Sequence, residues 1–291
     1  MNSISTNNTT ENNSLEMNNG KQKPIVDLTI VIPYFNKSEY ITKTVESILS
    51  QTILPKKILI IDDHSLIPAS TVLSEKGFSS SLIECIYLNE NKGTSFAKNE
   101  GVRLSRTKYI NTLDADDYFY SNKKIETEYP LAEKGDIPFS AYIRVDTNNC
   151  VVFKNHLEKR RYSKPNHQFV DFLSGYKAQF IPDNYIVAKE DFLMAGGYDV
   201  AMNLYEDLDL LLRLSKFKKF IFTKQYGLAY RITPNSLSSQ KASIHRKVIK
   251  AIRQKYIPYL SRKQKVEYIL KRCFVRVYRR LCIIVNTIRK R

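Results

Sequence analysis

The chain has 291 residues, of which 43% are hydrophobic and 11% aromatic, so it is long and apolar enough for one large domain with an appendage. Its formal net charge is +17. Residues 244–291 hold 16 Lys and Arg side chains against one acid, Glu267, which is about +15 and leaves about +2 for the first 243 residues. The four cysteines have neither metal-ligand spacing nor the pattern of a disulfide framework, which suits a reducing cytosol.

Composition divides the chain into three parts. Residues 1–24 are rich in Asn, Ser and Thr and lack the apolar stretch of a secretory signal, so we predict a disordered leader. Residues 25–243 are predicted to form the globular domain, with one half at 25–120 and the other at 121–243. Residues 244–291 form the basic tail. Since the chain has no run of about 18 apolar residues, we predict no conventional spanning helix.

Strand and helix patterns alternate through the first half. Apolar runs that end in turn residues predict strands, and apolar positions at helical spacing predict helices. In chain order we predict a strand at 28–36, a helix at 40–49, a strand at 57–61, a helix at 68–76, a strand at 82–88, a helix at 95–104 and a strand at 109–113. Asn36 or Ser38 can cap the first helix. This alternation predicts a parallel α/β sheet, in which ligands bind outside the carboxyl ends of the strands.

Acidic residues follow two of these strands. Asp114, Asp116 and Asp117 come directly after the strand at 109–113, and Asp62 and Asp63 end the strand at 57–61. Bare carboxylates at the end of a buried strand are costly, and a hard divalent cation with an attached diphosphate would offset that cost. For an isolated Asp-x-Asp, a solvated acidic turn is the alternative interpretation.

Five motifs in chain order resemble those of the inverting family 2 nucleotide-sugar glycosyltransferases of the GT-A fold: IVIPYFN, ILSQT, IIDDHS, NKGTSFAKNEG and LDADD. The resemblance is close over residues 27–120 and weaker to about 240. It implies an α/β, Rossmann-like GT-A fold with a mixed, mostly parallel sheet flanked by helices, followed here by a C-terminal basic helical extension. In this context we interpret the Asp-x-Asp as a metal and sugar-nucleotide site.

The resemblance implies a UDP-sugar donor. Pro33, Phe35 and Asn36 match positions that border the nucleotide. Asp62 or Asp63 would accept a hydrogen bond from uracil N3, because the imide N–H is a donor flanked by two carbonyls.

The resemblance also implies a metal cofactor, Mn²⁺ or Mg²⁺. Asp116 would ligate the ion, and Asp114 would lie beside the ribose or a metal-bound water, with Ala115 between them at the nucleotide. The metal would neutralise charge on the departing UDP. Lys98 matches a basic family position near the nucleotide. Lys92 and Lys98 could both face an anionic ligand, and for each a solvated lysine is the alternative.

One motif departs from the family pattern. Many relatives have a histidine after the last core strand, where this chain has Thr233 within YRITPNS. Tyr230 and Arg231 remain as diphosphate contacts, and metal coordination would rest on Asp116, the diphosphate and water. His245 lies further along the chain, and we expect it on the surface.

The second half is expected to supply the acceptor site. We predict strands at 137–145 and 150–154, followed by a basic loop. Its Arg160, Arg161 and Lys164 could contact an anionic acceptor or be solvated.

The catalytic base is expected from the segment LYEDLDLLLRLSKF, which resembles the family's Glu-Asp motif at the start of a helix. The resemblance implies that Asp207 is the general base, taking the proton of the acceptor hydroxyl as it attacks the anomeric carbon. Glu206 would orient the loop or contact the acceptor. Acids that merely favour a helix N-terminus are the alternative. Gly196 and Gly197 would allow close backbone approach beneath the acceptor.

The tail alternates basic and apolar residues at helical spacing. Apolar residues that can share one face are Phe274, Val277, Tyr278, Leu281, Ile284, Val285 and Ile288. Flanking this face are Arg272, Arg276, Arg279 and Arg280. Such a basic amphipathic helix can lie in an anionic membrane surface, or it can pack back on the domain. Nucleic acid is not expected as a partner, because no recognition module is present.

Together these features predict an inverting, metal-dependent glycosyltransferase. It would move a sugar from a UDP-sugar to a hydroxyl of a glycan or of a lipid-linked envelope polysaccharide precursor. We expect a cytoplasmic location, with the tail able to hold the protein on the inner face of the plasma membrane. The alternatives are a non-catalytic sugar-nucleotide-binding protein and a nucleotidyltransferase. The latter would need a Gly-rich phosphate loop near the first strand, which IPYFNKS matches poorly.

Overall fold

The structure is a computed structural model that describes residues 17–18, 21–154, 165–175, 185–233 and 240–289. The strands of these residues are β1 (Met17–Asn18), β2 (Lys21–Gln22), β3 (Ile25–Tyr34), β4 (Leu54–Asp62), β5 (Ile83–Tyr87), β6 (Tyr109–Thr112), β7 (Tyr118–Phe119), β8 (Ile137–Val145), β9 (Val151–Lys154), β10 (Val187–Ala188) and β11 (Phe220–Arg231). The helices are α1 (Ile41–Leu49), α2 (Ala69–Glu75), α3 (Thr94–Leu104), α4 (Lys124–Glu133), α5 (Pro165–Ser174), α6 (Lys189–Met194), α7 (Glu206–Leu214), α8 (Ala242–Tyr256) and α9 (Arg262–Arg289).

The first half forms a five-stranded sheet in the order β10-β6-β3-β4-β5. β3 pairs in parallel with both β4 and β6, and β4 pairs in parallel with β5. The added strand β10 is antiparallel to β6. The carboxyl ends of β3, β4 and β6 therefore meet at one edge of the sheet, as the sequence predicted.

A second sheet has four strands in the order β7-β11-β8-β9. β11 runs parallel to β8, while β7 and β9 are antiparallel to their neighbours. The two sheets together are mixed and mostly parallel with flanking helices, which confirms the predicted fold class. The predicted helix and strand positions of the first half are also correct to within a few residues.

The core lies on both faces of the five-stranded sheet. Its strands are almost continuously apolar because parallel strands covered by helices on both sides bury both faces. Ile30 and Ile60 pack into the cluster that also contains residues of α1, α2 and α4. Their neighbours Val31 and Ile61 point the opposite way, into a cluster shared with α3, α5 and α7.

Helix α3 lies unusually close to the sheet at Gly101. A Cβ atom at this position would stand 2.3 Å from Cγ1 of Val31 and 3.1 Å from Cγ1 of Ile61. The glycine thus sets the distance between α3 and β3, and so the position of the Lys98 side chain one turn earlier on the same helix.

The tail is helical from Ala242 and packs back on the domain. Ile252, Tyr256 and Leu260 are buried in the same cluster as α5 and α7. On α9, Val275 is buried and Lys271 forms an ion pair with Asp171 of α5, with 2.5 Å between Nζ and Oδ1. This face of the tail therefore packs on the domain, which is one of the two alternatives that the sequence left open.

An opposite face of α9 is exposed over its described side chains. The exposed apolar stripe of α9 consists of Val266, Ile269, Leu270, Phe274, Val277 and Tyr278. The last three belong to the apolar face predicted from the sequence, whose remaining members lie beyond the side chains described. Arg272, expected to flank that face, instead donates a hydrogen bond from Nη1 to the carbonyl oxygen of Ser174 at 3.1 Å.

The predicted leader is described only in part. Met17–Asn18 and Lys21–Gln22 pair as two short antiparallel strands. Residues 1–16 and 19–20 lie outside the described residues, so disorder there stays a prediction. Among the helices of the described residues, none combines the length and the apolar character needed to cross a bilayer.

Candidate active site

The acidic motif after β6 forms a tight turn at the carboxyl edge of the sheet. The backbone N–H of Asp117 donates to the carbonyl oxygen of Asp114 at 3.0 Å. The hydroxyl of Thr44 lies 2.8 Å from the carbonyl oxygen of Ala115 and 2.6 Å from that of Asp117. Helix α1 thereby holds the acid turn, which we define as residues 114–117.

Thr44 was not among the candidates from the sequence, although a signal for it was present. It shares the buried face of α1 with Ile41, Val45 and Ile48. A hydroxyl on an otherwise apolar helix face must find a hydrogen-bond partner when it is buried. That partner is the acid turn.

Two carboxylates of the acid turn are paired with lysines. Oδ1 of Asp114 lies 2.9 Å from Nζ of Lys98, whose side chain is 2% exposed. Oδ2 of Asp116 lies 2.6 Å from Nζ of Lys37, whose side chain is 34% exposed. Lys98 also stands over the ring of Tyr198, 5.2 Å from its centroid. Lys98, a predicted nucleotide contact, thus lies beside Asp114, whereas Lys37 was not among the predicted residues.

The third carboxylate, that of Asp117, is buried and has a structural role. Burial raises its pKa well above the usual value, and the negative charges of Asp116 and Asp114 add to the shift. The backbone N–H of Arg231 donates to Asp117 Oδ1 at 2.8 Å and opposes that shift. Asp117 therefore ties the acid turn to the end of β11.

Arg231, a predicted diphosphate contact, is bonded to the protein itself. It is 3% exposed, and its guanidinium donates to the carbonyl oxygens of Asp116 and Asp146 at 2.8 and 3.0 Å and to Oδ1 of Asn149 at 2.8 Å. The ring of Tyr40 lies 4.8 Å from its Cζ atom. Through these bonds the side chain supports the acid turn, and a contact of Arg231 with a diphosphate stays a prediction.

The two acids at the end of β4 organise neighbouring loops. Asp62 accepts hydrogen bonds from the backbone N–H groups of Ser65 and Ala69, at 2.9 and 2.8 Å. Asp63 accepts from the backbone N–H groups of Lys92 and Gly93, at 2.8 and 2.7 Å. Both carboxylates are 2% exposed. Each is thus a loop anchor, a role that the sequence did not reveal.

The loop after β3 is joined to the loop after β4. Asn36 has a left-handed backbone, φ 50°, and its Oδ1 accepts from the backbone N–H of Leu66 at 2.9 Å. Its own N–H donates to the hydroxyl of Ser65 at 3.0 Å. Neither Asn36 nor Ser38 caps α1, contrary to both predictions: the N-cap residue is Tyr40, and it makes no side-chain cap bond. Next to Asn36, Phe35 is 44% exposed, and Pro33 is buried.

Other predicted contact residues are engaged elsewhere. Nζ of Lys92 pairs with Glu90 at 3.0 Å on the surface. Tyr230 packs edge to face with Tyr142, with 6.2 Å between ring centroids. Thr233, in the place of the family histidine, is buried. The predicted basic loop with Arg160, Arg161 and Lys164 lies outside the described residues.

The double glycine before α7 contacts α3. Gly196 and Gly197 both have positive φ, 86° and 64°. A Cβ atom on Gly197 would stand 2.6 Å from Oδ1 of Asn99. The Asn99 side chain accepts a hydrogen bond from the backbone N–H of Tyr198 and donates one to the carbonyl oxygen of Tyr198, both at 2.8 Å. The close approach expected at these glycines is thus observed, but toward Asn99.

Helix α7 begins with the predicted catalytic motif. Glu206 and Asp207 lie in its first turn and are half-buried, and Oδ1 of Asp207 lies 2.7 Å from the backbone nitrogen of Leu208. The preceding residue, Tyr205, has a left-handed backbone with φ 65°. Such a conformation costs free energy in a bulky residue and is frequent at functional sites.

Tyr205 connects this turn to the tail. Its hydroxyl lies 3.1 Å from Nδ1 of His245 on α8. Burial raises the pKa of Tyr205, and the negative charge of Asp207 raises it further. His245, expected on the surface, is half-buried and bonded to the residue that precedes α7.

A buried acid, Asp209, binds α7 to α8. Its Oδ2 pairs with Nε of Arg213 at 2.9 Å, and its Oδ1 accepts from Lys255 at 2.9 Å and Tyr256 at 2.8 Å. Burial by itself would raise the pKa of Asp209, but the bonds from Lys255, Tyr256 and Arg213 outweigh it and lower the pKa. The first turn of α7 is therefore flanked by two contacts with α8, at Tyr205 and at Asp209.

The acid turn fits a metal held in part by its substrate. Among the described residues no cluster of three or more His, Cys, Asp and Glu side chains could hold an ion. Asp114 and Asp116 are hard oxygen ligands in alternate positions, and each uses one oxygen in an ion pair with lysine. Mg²⁺ is commonly bound by one or two carboxylates together with substrate phosphates and water. The donor set suits that kind of site.

Comparison with solved structures identifies the fold. S. aureus TarS 1–349 in complex with UDP has a TM-score of 0.59 at 13% identity, covering 84% of this chain and 70% of TarS 1–349. The same fragment in complex with UDP-GlcNAc has a TM-score of 0.60 at 12% identity, covering 84% and 71%. With its edge of loops and acid turn, this is the GT-A fold of glycosyltransferases.

The family follows from the sequence comparison. The model of glycosyl transferase family 2 matches residues 29–195, more than half of the chain, and the chain belongs to that family. An uncharacterised glycosyltransferase of Methanocaldococcus jannaschii is 26% identical over 219 residues, 73% of this chain and 72% of that protein. Chondroitin synthase of Escherichia coli is 40% identical over 98 residues, 34% of this chain but 14% of the synthase. The putative teichuronic acid biosynthesis glycosyltransferase TuaG of Bacillus subtilis is 28% identical over 121 residues, 41% of this chain and 47% of TuaG.

Proposed function

We propose that this glycosyltransferase moves a sugar from a UDP-sugar to a hydroxyl group with inversion at the anomeric carbon, and that the reaction depends on Mn²⁺ or Mg²⁺. The observation that carries the proposal is the acid turn, residues 114–117, held at the carboxyl edge of a parallel sheet by Thr44 and Arg231. This edge is where α/β sheets bind nucleotides. The TarS complexes with UDP and UDP-GlcNAc support the choice of nucleotide.

On the donor side, the loops after β3 and β4 would bind the nucleoside. Phe35 is exposed beside Asn36 and offers an aromatic surface, and Pro33, two positions earlier, is buried. Asp62 or Asp63 would accept the uracil N3–H. Each of their oxygens already accepts one backbone hydrogen bond, and a carboxylate oxygen can accept a second.

At the diphosphate, the acid turn would hold the metal. Asp116 would be the ligand, with Asp114, Ala115 and Lys98 beside the ribose and the nucleotide. When bound, the metal supplies positive charge to the departing UDP. Lys98 orients Asp114, because the ion pair joins a lysine that is almost fully buried to the more exposed carboxylate.

On the acceptor side, Asp207 would be the general base. It would take the proton from the acceptor hydroxyl as that oxygen attacks the anomeric carbon opposite UDP, so a single displacement inverts the configuration. Glu206, one position earlier in the first turn of α7, would orient the loop or contact the acceptor. The contacts of Tyr205 and Asp209 with α8 support a fixed first turn.

We further propose that the acceptor is a glycan or a lipid-linked envelope polysaccharide precursor and that the protein binds the cytoplasmic membrane surface through α9. The exposed apolar stripe of α9 supports this proposal. Exposed cations on the same helix are Arg262, Lys263, Lys265 and Arg276. Apolar and basic residues side by side suit an anionic lipid surface.

A panel of UDP-sugars tests the enzymatic part. UDP release and protection against thermal unfolding are measured with each sugar in Mn²⁺ and in chelator. We expect one or a few UDP-sugars to protect and to turn over only with metal. If no UDP-sugar binds under either condition, the proposal of a UDP-sugar donor is wrong. Turnover that persists in chelator would refute the metal dependence alone.

A further inference from the structure

The two lysines of the acid turn differ in how firmly they are held. Lys98 comes from the interior of α3, is 2% exposed and is packed over the ring of Tyr198. Lys37 comes from the loop between β3 and α1, its side chain is 34% exposed, and its Nζ lies 5.9 Å from the ring centroid of Tyr40, a longer contact than that of Lys98. A half-exposed ion pair made by a flexible ammonium group contributes little to stability, so it can exchange partners readily.

Lys37 bonds to the carboxylate that is proposed as the metal ligand. Its Nζ lies 2.6 Å from Oδ2 of Asp116. An ammonium group at that distance competes with a metal for this oxygen and repels any cation placed beside it. A metal that arrives alone must therefore displace Lys37 without offering the lysine another partner.

When the metal arrives together with a diphosphate, the phosphate oxygens are a new partner for Lys37. Lysine binds phosphate oxygens as a mobile point charge. Lys37 directly follows Asn36 and is two positions from the exposed ring of Phe35, in the loop that is proposed to border the nucleotide. Lys98 has no such freedom, because it is buried beneath the turn.

We propose that Lys37 is a diphosphate-binding residue that blocks Asp116 until the donor arrives. In the donor-free protein its ammonium group pairs with Asp116, and on binding of the metal with UDP it moves to the diphosphate oxygens. The metal site is then complete only with donor present. This inference rests on the proposed function and adds a residue that the family motifs do not include.

Mn²⁺ binding to the donor-free protein, measured by electron paramagnetic resonance, tests the blocking step. Lys37→Met keeps most of the side-chain length without the charge, and Lys37→Arg keeps the charge. Lys56→Met is the matched control, because Lys56 pairs with Asp27 at 3.4 Å at the opposite end of β4. UDP affinity in saturating Mn²⁺, measured by calorimetry on the same proteins, tests the diphosphate step.

We expect Lys37→Met to bind Mn²⁺ without nucleotide at least threefold more tightly than the unmodified protein. It should bind UDP in saturating Mn²⁺ at least threefold more weakly. Lys37→Arg and Lys56→Met should change neither affinity by more than twofold. If Lys37→Met leaves either affinity unchanged, the inference is overturned while the proposed function stands. If the unmodified protein binds no UDP in Mn²⁺, both are overturned.

Discussion

Tyr256 donates a hydrogen bond to the buried carboxylate of Asp209, with 2.8 Å between the two oxygen atoms, and so joins helix α8 to helix α7. Lys255 and Arg213 complete the set of partners. The buried acid thus connects the basic tail to the helix that begins with the proposed general base.

Replacing Asp209 with Asn should lower the free energy of unfolding at pH 7 by about 1–3 kcal/mol, because the buried side chain loses the charge that binds the Tyr256 hydroxyl, Lys255 and Arg213. Urea unfolding followed by circular dichroism measures the effect. Glu46→Gln, which breaks only the exposed pair with Lys43, should change stability by less than about 0.5 kcal/mol. Equal stability of the two variants would contradict the role assigned to Asp209.

The same network makes stability depend on pH. The pKa of Asp209 is lower in the folded protein than in the unfolded chain, where an Asp titrates near about 3.9. Its contribution is therefore present above about pH 4 and is lost as the pH falls through the lower folded-state pKa. We expect the difference in unfolding free energy between the unmodified protein and Asp209→Asn to shrink from pH 7 to pH 3. A difference independent of pH would show that the charge of Asp209 does not matter.

Asp116 and Asp207 should separate binding from chemistry. Asp116→Asn is expected to weaken Mn²⁺-dependent UDP binding by more than about tenfold, since even residues that merely orient a metal ligand cost 10–100-fold. Asp207→Asn should spare UDP binding and lower kcat by about 10²–10⁴, the usual contribution of a general base. Calorimetry with UDP and a UDP-release assay measure the two effects. If both variants lose UDP binding equally, the division of roles is wrong.

Thr44 should act on the nucleotide site through the acid turn. Thr44→Val keeps the side-chain shape but removes the hydroxyl that bonds to the carbonyl oxygens of Ala115 and Asp117. We expect a loss of about 1–3 kcal/mol in unfolding free energy and weaker UDP binding in Mn²⁺, with Thr44→Ser closer to the unmodified protein. Thr71→Val, on the exposed side of α2, is the control. Unchanged UDP affinity in Thr44→Val would mean that the turn holds its shape unaided.

Gly101→Ala should destabilise the fold by about 1–3 kcal/mol, because the added methyl group would overlap Cγ1 of Val31. In the double variant Gly101→Ala with Val31→Ala, the smaller side chain at position 31 should relieve part of this loss. The single variant Val31→Ala completes the double-mutant cycle. Thermal unfolding of the four proteins gives the coupling energy. Strictly additive effects would contradict a direct contact at this point.

The exposed apolar stripe of α9 should be needed for membrane binding. Leu270→Glu with Phe274→Glu places two acids on the stripe without touching the face that packs on α5. We expect sedimentation with anionic vesicles to fall several-fold, while UDP binding in Mn²⁺ is unchanged. Leu193→Glu, an exposed apolar residue on α6, is the matched control. Equal sedimentation of all three proteins would refute the membrane role.

Sequence reasoning was most accurate where the signal is local. The first five alternating elements, from β3 to β5, each follow from an apolar run and a turn within about ten residues of chain. The antiparallel strand β10 and the irregular pairing of β11 with β8, which has two register shifts, were not predicted. Those pairings depend on residues far apart in the chain, which no local pattern reports.

The same distinction applies to the site. The spacing of Asp114 and Asp116 identified the acid turn, whereas the ion pair between Lys98 and Asp114 was not predicted. The partners of Asp62, Asp63 and Arg231 were missed, since a side chain's hydrogen bonds depend on which loops the fold brings together. The guanidinium of Arg231, for example, donates to backbone carbonyl oxygens that the motif does not reveal.

The hydrogen bonds that join α7 to α8 through Asp209 also restrict how the protein could be oriented on a membrane surface. Helix α9 has 28 residues and is about 42 Å long, and it follows α8 after one short turn. A helix of that length lying flat on a lipid surface cannot tilt end over end, and its exposed apolar stripe would fix its rotation about its own axis. Because α8 is bonded to α7, Asp207 would then stand at one fixed height above the lipid headgroups. The reach of the acceptor chain, measured from its anchoring lipid, would decide which hydroxyl arrives at that height.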